Sequence, residues 1–346
     1  MKKLIYYSVP LWLLLLVFAT YVSYQNSEDD KRTPIKPIKI SAKEHGLITI
    51  SERLPAELSA QGTTVKIKPK KILYPERLPI LEIERGRLSE EEISRWFKPD
   101  QMIYRGESSG TAYSNELALT FIERTWDIEG PEPGIVILDD RGTLSFNRRL
   151  IPTEFNHNLS GADREQIKKD VASYIKTHGG IPSDAFFEDA RERPYSNPTK
   201  YGHSGSYLTT NYRHSHKGIL LMDDVISVQY FGVVDNYVRR WSSLRETGDA
   251  AIMSPKRAME IALKNHGADL GQLKAKLSVD AIWLIYFEPG LRDASAARRQ
   301  PVYRPGWVML LNNGAVYLID AVTGAEYQLP APPLGYDSLT VVYELY

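Results

Sequence analysis

Three of the seven histidines, His203, His214 and His216, fall within fourteen positions in the stretch YGHSGSYLTTNYRHSHKG. On an extended strand His214 and His216 face the same side, a geometry that could chelate Zn²⁺ or Cu²⁺. No fourth ligand follows at a familiar spacing, and the surrounding Gly, Ser and Lys read as a strand edge and loop. A solvated polar hairpin is therefore the favoured reading, with a metal-binding envelope protein as the alternative.

Two carboxylate pairs, Asp139-Asp140 and Asp223-Asp224, are the next candidates. General acid–base chemistry needs two carboxyls converging on one substrate from environments that separate their pKa values. Neighbours on a strand point to opposite faces, so neither pair converges by itself. Among the serines, HSGS around Ser204 lacks the strand–turn–helix setting that exposes a nucleophile. No phosphate-binding Gly-rich loop and no HExxH is present. The chain also has no cysteine, which removes disulfides, thiolate metal sites and a cysteine nucleophile together. The residues thus point away from an enzyme, with no catalytic residue, no cofactor and no evident small-molecule substrate.

The elements around these residues follow from composition and pattern. The chain has 346 residues, a length suited to two ordinary domains, and 43 basic residues balance 43 acidic ones. Zero net charge argues against a nucleic-acid partner, because no excess of positive charge is available to neutralise phosphates. A hydrophobic fraction of 42% suffices for sizeable cores, and six tryptophans with 21 tyrosines suit sheet packing and protein interfaces.

After Lys2 and Lys3, the run IYYSVPLWLLLLVFATYV (Ile5 to Val22) carries no charge, and Glu28, Asp29 and Asp30 follow it. That run is at the lower edge of what spans a bilayer, and the flanking charges place the N-terminus in the cytoplasm. The expected organisation is a cytoplasmic tip (1–4), a transmembrane anchor (5–24), an extracytoplasmic spacer (25–71), an N-terminal module (72–155) and a C-terminal module (156–346). This gives a single-pass cell-membrane protein with its bulk outside. Within the proline-punctuated spacer, LITIS (Leu47 to Ser51) and TVKIK (Thr64 to Lys68) have the pattern of short strands.

Three helices are predicted. In LSEEEISRWF, Ser89 caps, Glu92 completes a capping box, and Leu88 with Ile93 forms a hydrophobic staple. The second begins near Ser160, with Asp163 three residues on, and presents Ile167, Val171, Tyr174 and Ile175 on one face before Gly179 stops it. The third begins at Ser254 with Pro255 in its first turn and ends at Lys264, His266 and Gly267. YIKTHGG and ALKNHGA lie 88 residues apart, suggesting an internal repeat with helices near 160–178 and 254–266. The remaining segments alternate apolar and polar residues between Gly and Asn turns, which favours antiparallel pairing. The expected class is α+β: an N-terminal transmembrane helix, then two modules of antiparallel sheet, each packed by one or two helices.

The segment SPKRAMEIALKNHG, the strands after it and the closing GAVYLIDAVTGAEY resemble the PepSY-like fold, in which a helix packs on an antiparallel sheet. The closing strand of that family runs Asp-Ala, one residue, then Thr-Gly-Glu. Here it stands as Asp320-Ala321-Val322-Thr323-Gly324-Ala325-Glu326, with one residue inserted before Glu. YPERLPILEIERGRLSEEEISRWF also resembles the start of two-module extracytoplasmic proteins of Gram-positive bacteria. The layout is similar to the YycH/YycI-type regulators, and that resemblance implies a partner such as a sensor histidine kinase, or, as in PepSY modules attached to proteases, an envelope protease. The family pattern offers no catalytic residue. Its structural signature falls here on Ser254, Pro255, Gly267, Trp307, Gly314, Tyr317, Asp320, Thr323 and Gly324. Asn312 to Gly314 read as a hairpin turn, and Asp320 and Thr323 as side chains that hydrogen-bond the backbone where the strand ends.

Overall fold

A computed structural model of the chain describes residues 38–84, 88–97, 102–114, 117–129, 133–139, 142–148, 164–196, 204–272, 276–291, 301–327 and 343–345. Strands β1 (Ile38–Ile40), β2 (Thr49–Arg53), β3 (Glu57–Ala60), β4 (Thr63–Ile67), β5 (Lys71–Pro75) and β6 (Arg77–Glu84) precede helix α1 (Glu90–Phe97). Two hairpins follow, β7 (Met102–Ser114) with β8 (Leu117–Ile128) and β9 (Gly134–Asp139) with β10 (Leu144–Arg148), then helix α2 (Arg164–Thr177). Next come β11 (Ala185–Ser196), β12 (Ser204–His216), β13 (Ile219–Tyr230), β14 (Val234–Arg240) and β15 (Ser243–Ala251), and then helix α3 (Pro255–Gln272). The chain closes with β16 (Ser278–Phe287), β17 (Val302–Leu311), β18 (Val316–Asp320), β19 (Glu326–Tyr327) and β20 (Tyr343–Leu345), which pairs in parallel with β1.

Local chemistry explains the helices. The α1 capping box is reciprocal: Ser89 N–H donates to Glu92 Oε2 at 2.8 Å, and Glu92 N–H donates to Ser89 Oγ at 3.2 Å. Helix α2 buries Ile167, Val171 and Ile175 along one face. It ends in a Schellman-type turn, where Gly180 N–H reaches Ile175 C=O at 2.9 Å and Gly179 takes φ +95°. Helix α3 starts with Ser254 Oγ accepting from Arg257 N–H at 3.2 Å.

Helix α3 does not stop at Gly267 but runs on to Gln272. Lys264, His266 and Gly267 imitate a C-terminal signal, yet this glycine serves close packing. A Cβ there would lie 2.8 Å from Ala60 C=O, so the β3–β4 hairpin lies directly against the helix. Val65 and Ile67 of that hairpin are core residues, although they fall in the span expected to be a spacer.

The fold class departs from the expected one. The described residues hold twenty strands and only three α-helices, so the protein is mostly β rather than two helix-packed α+β modules. The physical reason lies in the long hairpins, with strands of 12 or 13 residues in β7, β8, β11, β12 and β13. Strand β13 also prevents a clean division. It pairs antiparallel with β12 and β14, and in parallel with β16 through Leu221 and Tyr286, so one sheet path runs from β15 to β7.

Two cores follow. In the first, α1 and α2 cover β8 to β10 and β12 to β14 around Trp126, Val136, Phe146, Ile226 and Tyr237. The second lies under α3, around Leu81, Met259, Tyr286, Tyr303 and Trp307. Strand β16 is buried on both faces: Ile282, Leu284 and Tyr286 enter the α3 core, while Ala281, Trp283, Ile285 and Phe287 enter a cluster on the opposite side.

The single-pass membrane placement is likewise corrected. No helix among the described residues is long and apolar enough to cross a membrane, and residues 5–24 lie outside the described residues. The membrane as a partner, the signal-anchor reading and the extracytoplasmic location that depended on it therefore have no structural support.

Candidate functional site

Among the described residues, a dense polar cluster forms where β13 turns from one half of the sheet to the other. In the β12–β13 ladder Arg213 faces Val225 and Ser215 faces Leu220, so residues 221–224 bulge out opposite His214. This bulge carries Asp224 into the interior, where it has no solvent exposure. Four donors meet its carboxylate. Oδ1 accepts the hydroxyls of Tyr303 at 2.7 Å and Ser242 at 3.0 Å. Oδ2 accepts Ser242 N–H at 2.8 Å and His214 Nδ1 at 2.9 Å. These donors come from β12, β17 and the link between β14 and β15.

The cluster extends in two directions. Outward, His214 Nε2 lies 2.8 Å from Asp184 Oδ2, and the Trp241 ring stacks on the imidazole with centroids 4.5 Å apart and planes 15° from parallel. Inward, Arg240 Nε sits 3.9 Å from Asp224, too far for a hydrogen bond but close enough for attraction, while its Nη2 donates to Glu288 at 2.7 Å. Asp223 Oδ2 accepts Glu288 N–H at 3.1 Å. Burial opposes the charge on Arg240, but Tyr303, Asp223, Glu288 and Asp224 around it raise its pKa above the ordinary value, so it stays cationic. Burial, and then the Asp224 charge, push the Tyr303 hydroxyl well above its usual range and keep it a neutral donor.

This arrangement holds backbone segments together more readily than it performs catalysis. The Ser242 hydroxyl is bonded to Asp224 rather than to the imidazole, so no activated nucleophile is formed. His214 and His216 do not converge: His216 Nε2 reaches Glu246 at 2.8 Å, and Lys217 shares that carboxylate at 2.7 Å. Among the described residues no three His, Asp or Glu side chains gather as a metal site. His203 and Asp140 lie outside the described residues, as do Ser160 and Asp163.

The signature residues assemble around the start of α3. Asp320, fully buried, turns the chain: its Oδ1 accepts Val322 N–H at 2.8 Å and Thr323 N–H at 2.9 Å, and its C=O accepts Gly324 N–H at 2.9 Å. Thr323 Oγ1 accepts Ala325 N–H at 3.2 Å. The turn then holds the helix, with Met253 N–H donating to Ala321 C=O at 2.8 Å and Trp307 Nε1–H to Met253 C=O at 3.0 Å, next to Ser254 and Pro255. Gly324 takes φ +78°, and Gly314 takes φ +85° in the β17–β18 hairpin. Tyr317 packs 4.7 Å from the His266 ring, whose Nε2 bonds Glu326. Gly267 lies within α3, away from that turn.

Sequence reasoning weighed Asp224 only as half of a carboxylate pair that does not converge, and passed over Ser242, Tyr303 and Asp184. A usable signal was present: Asp223-Asp224 interrupts the apolar runs ILLM and VISV, and a charge embedded in a buried strand requires partners.

No family model matches the chain, and no curated protein does. Among solved structures, an uncharacterized protein from Eubacterium rectale ATCC 33656 is similar at a TM-score of 0.47 and 10% identity, over 80% of this chain and 94% of that one. The Bacillus megaterium YpeB C-terminal domain is similar at a TM-score of 0.33 and 12% identity, over 70% of this chain and 97% of that one. Neither likeness assigns a family, a YycH/YycI-type identity or a function to this chain.

Proposed function

We propose that this chain is a non-enzymatic regulatory protein that acts by binding another protein, with a sensor histidine kinase as the partner class. The observation that carries the reading is the commitment of its polar clusters to structure. Asp224 and Asp320 spend their carboxylates on backbone and buried donors, and His214 and His216 each face carboxylates rather than an open position. Ile103, Tyr104 and Ile122 are exposed on the β7–β8 hairpin, and exposed apolar groups of this kind are ordinary material for a protein contact. The partner class comes from the resemblance of the chain's layout to the YycH/YycI-type regulators.

The test is binding and kinase regulation with purified components. The full chain should bind a sensor histidine kinase from its own cells and change that kinase's autophosphorylation. Ile103→Ser with Ile122→Ser should weaken binding while leaving the melting temperature unchanged. No binding, with autophosphorylation unaltered, removes the kinase reading. Turnover of peptide, ester or phosphoester substrates that is lost in His214→Gln would overturn the non-enzymatic one.

A further inference from the structure

The His214 imidazole is held between two carboxylates of very different character. Asp224 has no solvent exposure and is fixed by Ser242 and Tyr303 whatever the state of the ring. Asp184 is about half exposed, with a side-chain exposure of 49%, and belongs to the turn that opens β11. That turn is closed by Ala185 N–H donating to Pro182 C=O at 3.1 Å, and Ala185 is the register partner of His214 itself. Strand β11 pairs with β12 alone among the described residues, so its first residues lack a second strand to hold them.

Each ring nitrogen faces a carboxylate oxygen, at 2.9 Å and 2.8 Å. Only the imidazolium donates from both nitrogens; the neutral ring keeps one N–H and presents a lone pair at the other. The buried side holds the remaining proton more strongly, because Asp224 cannot turn to water and Asp184 can.

We propose that His214 is a proton-operated latch whose imidazolium ties Asp184, and with it the start of β11, to the buried Asp224. Loss of the Nε2 proton to solvent leaves a lone pair against the Asp184 carboxylate, and Asp184 swings out to water. The change is local to the turn at Pro182–Ala185 and the first β11 residues. The ionisable groups that face the ring are Asp184 from that turn and Asp224 from β13. Behind Asp224 stand Tyr303 of β17, Arg240 of β14, Glu288 after β16, and Asp223 next along β13. Burial and the Asp224 charge keep the Tyr303 hydroxyl neutral, and the surrounding acids keep Arg240 cationic. The inference concerns this cluster alone and is independent of what the protein binds.

The experiment uses the full-length chain, with the His214 ring signal and the amide signals of residues 184–187 followed by NMR between about pH 5 and pH 9, a range that brackets imidazole titration. The His214 signal is assigned by its absence in His214→Gln. The amide shifts should follow a one-proton curve with the midpoint of the His214 curve. In Asp184→Asn, a change at a half-exposed position that leaves the core intact, His214 should still titrate while the amide step disappears. An amide step of unchanged size in Asp184→Asn, a His214 ring that does not titrate in the window, or midpoints that differ by more than about one unit would each overturn the latch.

Discussion

Replacing Asp224 with alanine tests whether the buried cluster holds the two halves of the sheet together. The substitution removes the acceptor for Ser242 N–H, the Ser242 hydroxyl, the Tyr303 hydroxyl and His214 in a site without solvent exposure. An unsatisfied buried donor costs about 1–3 kcal/mol, and hydroxyl rotation or an entering water recovers part of that for Ser242 and Tyr303. Ser242 N–H cannot rotate, and Arg240 loses one of its compensating charges. Breaking a buried charged contact from one side costs about 3–5 kcal/mol, so Asp224→Ala should lose about 4 kcal/mol. Asp224→Asn keeps the volume and one acceptor, but its amide then faces two donors, and about 2–3 kcal/mol should be lost. The control is Asp249→Ala at the exposed Arg77–Asp249 pair, where both side chains are more than half open to water and about 0–1 kcal/mol is expected. Equilibrium urea denaturation followed by circular dichroism measures all three. If Asp224→Ala falls within about 1 kcal/mol of the Asp249 control, the reasoning fails, because the four donors then have other acceptors.

Three further outcomes follow from particular residues. Gly324→Val should destabilise the protein by about 2 kcal/mol or more, because φ is +78° and a Cβ would already lie 3.1 Å from Ile261 Cδ1; an unchanged thermal midpoint refutes it. Gly267→Ala gains about 1 kcal/mol of helix propensity but drives a Cβ to 2.8 Å from the Ala60 carbonyl, and overpacking of about 1–3 kcal/mol should win; a raised melting temperature would show that the hairpin yields. Hydrogen bonds from the Ser89 backbone N–H and then its side chain hold the Glu92 carboxyl below its ordinary pKa. Its folded value thus lies below the unfolded one, so its contribution is present above the ordinary Glu range and lost as pH falls through the lowered value. Amide exchange in α1 should rise on that acidification, and Glu92→Gln should remove the pH-dependent part while an unchanged profile refutes it.

Local rules made some of this fold legible and tertiary contacts concealed the rest. Ser89 with Glu92, the Ile167–Val171–Ile175 face and the Gly179 stop are decided within one or two turns of chain, and the structure contains them as the sequence implies. Gly267 misled because the same residue types that end a helix also let another backbone approach one, and only the β3–β4 hairpin, some 200 residues earlier, distinguishes the two. The α+β expectation failed for a related reason. Alternation reveals a strand but not the parallel contact of Leu221 with Tyr286 that merges two sheets into one path. The histidines were conspicuous by spacing, yet the bulge opposite His214 sends it to Asp224 and Asp184 while His216 meets Glu246.

Asp224 and Asp320 show why one buried acid was readable and the other was not. Both are fully buried and fully engaged, so burial and charge do not separate them. Asp320 spends its Oδ1 on amides two and three residues ahead, a purpose the Asp-x-x-Thr-Gly pattern states in the sequence, while its Oδ2 meets Arg304 of β17 at 3.4 Å. Asp224 spends its oxygens on residues 10, 18 and 79 positions away, and no pattern of neighbours can state that. A defect at Asp320 therefore reaches its own turn and Arg304 of the adjacent β17, whereas a defect at Asp224 loosens β12, β17 and the β14–β15 link together. That same reach makes the Asp224 cluster the place where a single proton on His214 can be felt by an edge strand. A change confined to a local turn such as that of Asp320 would have no comparable path to β11.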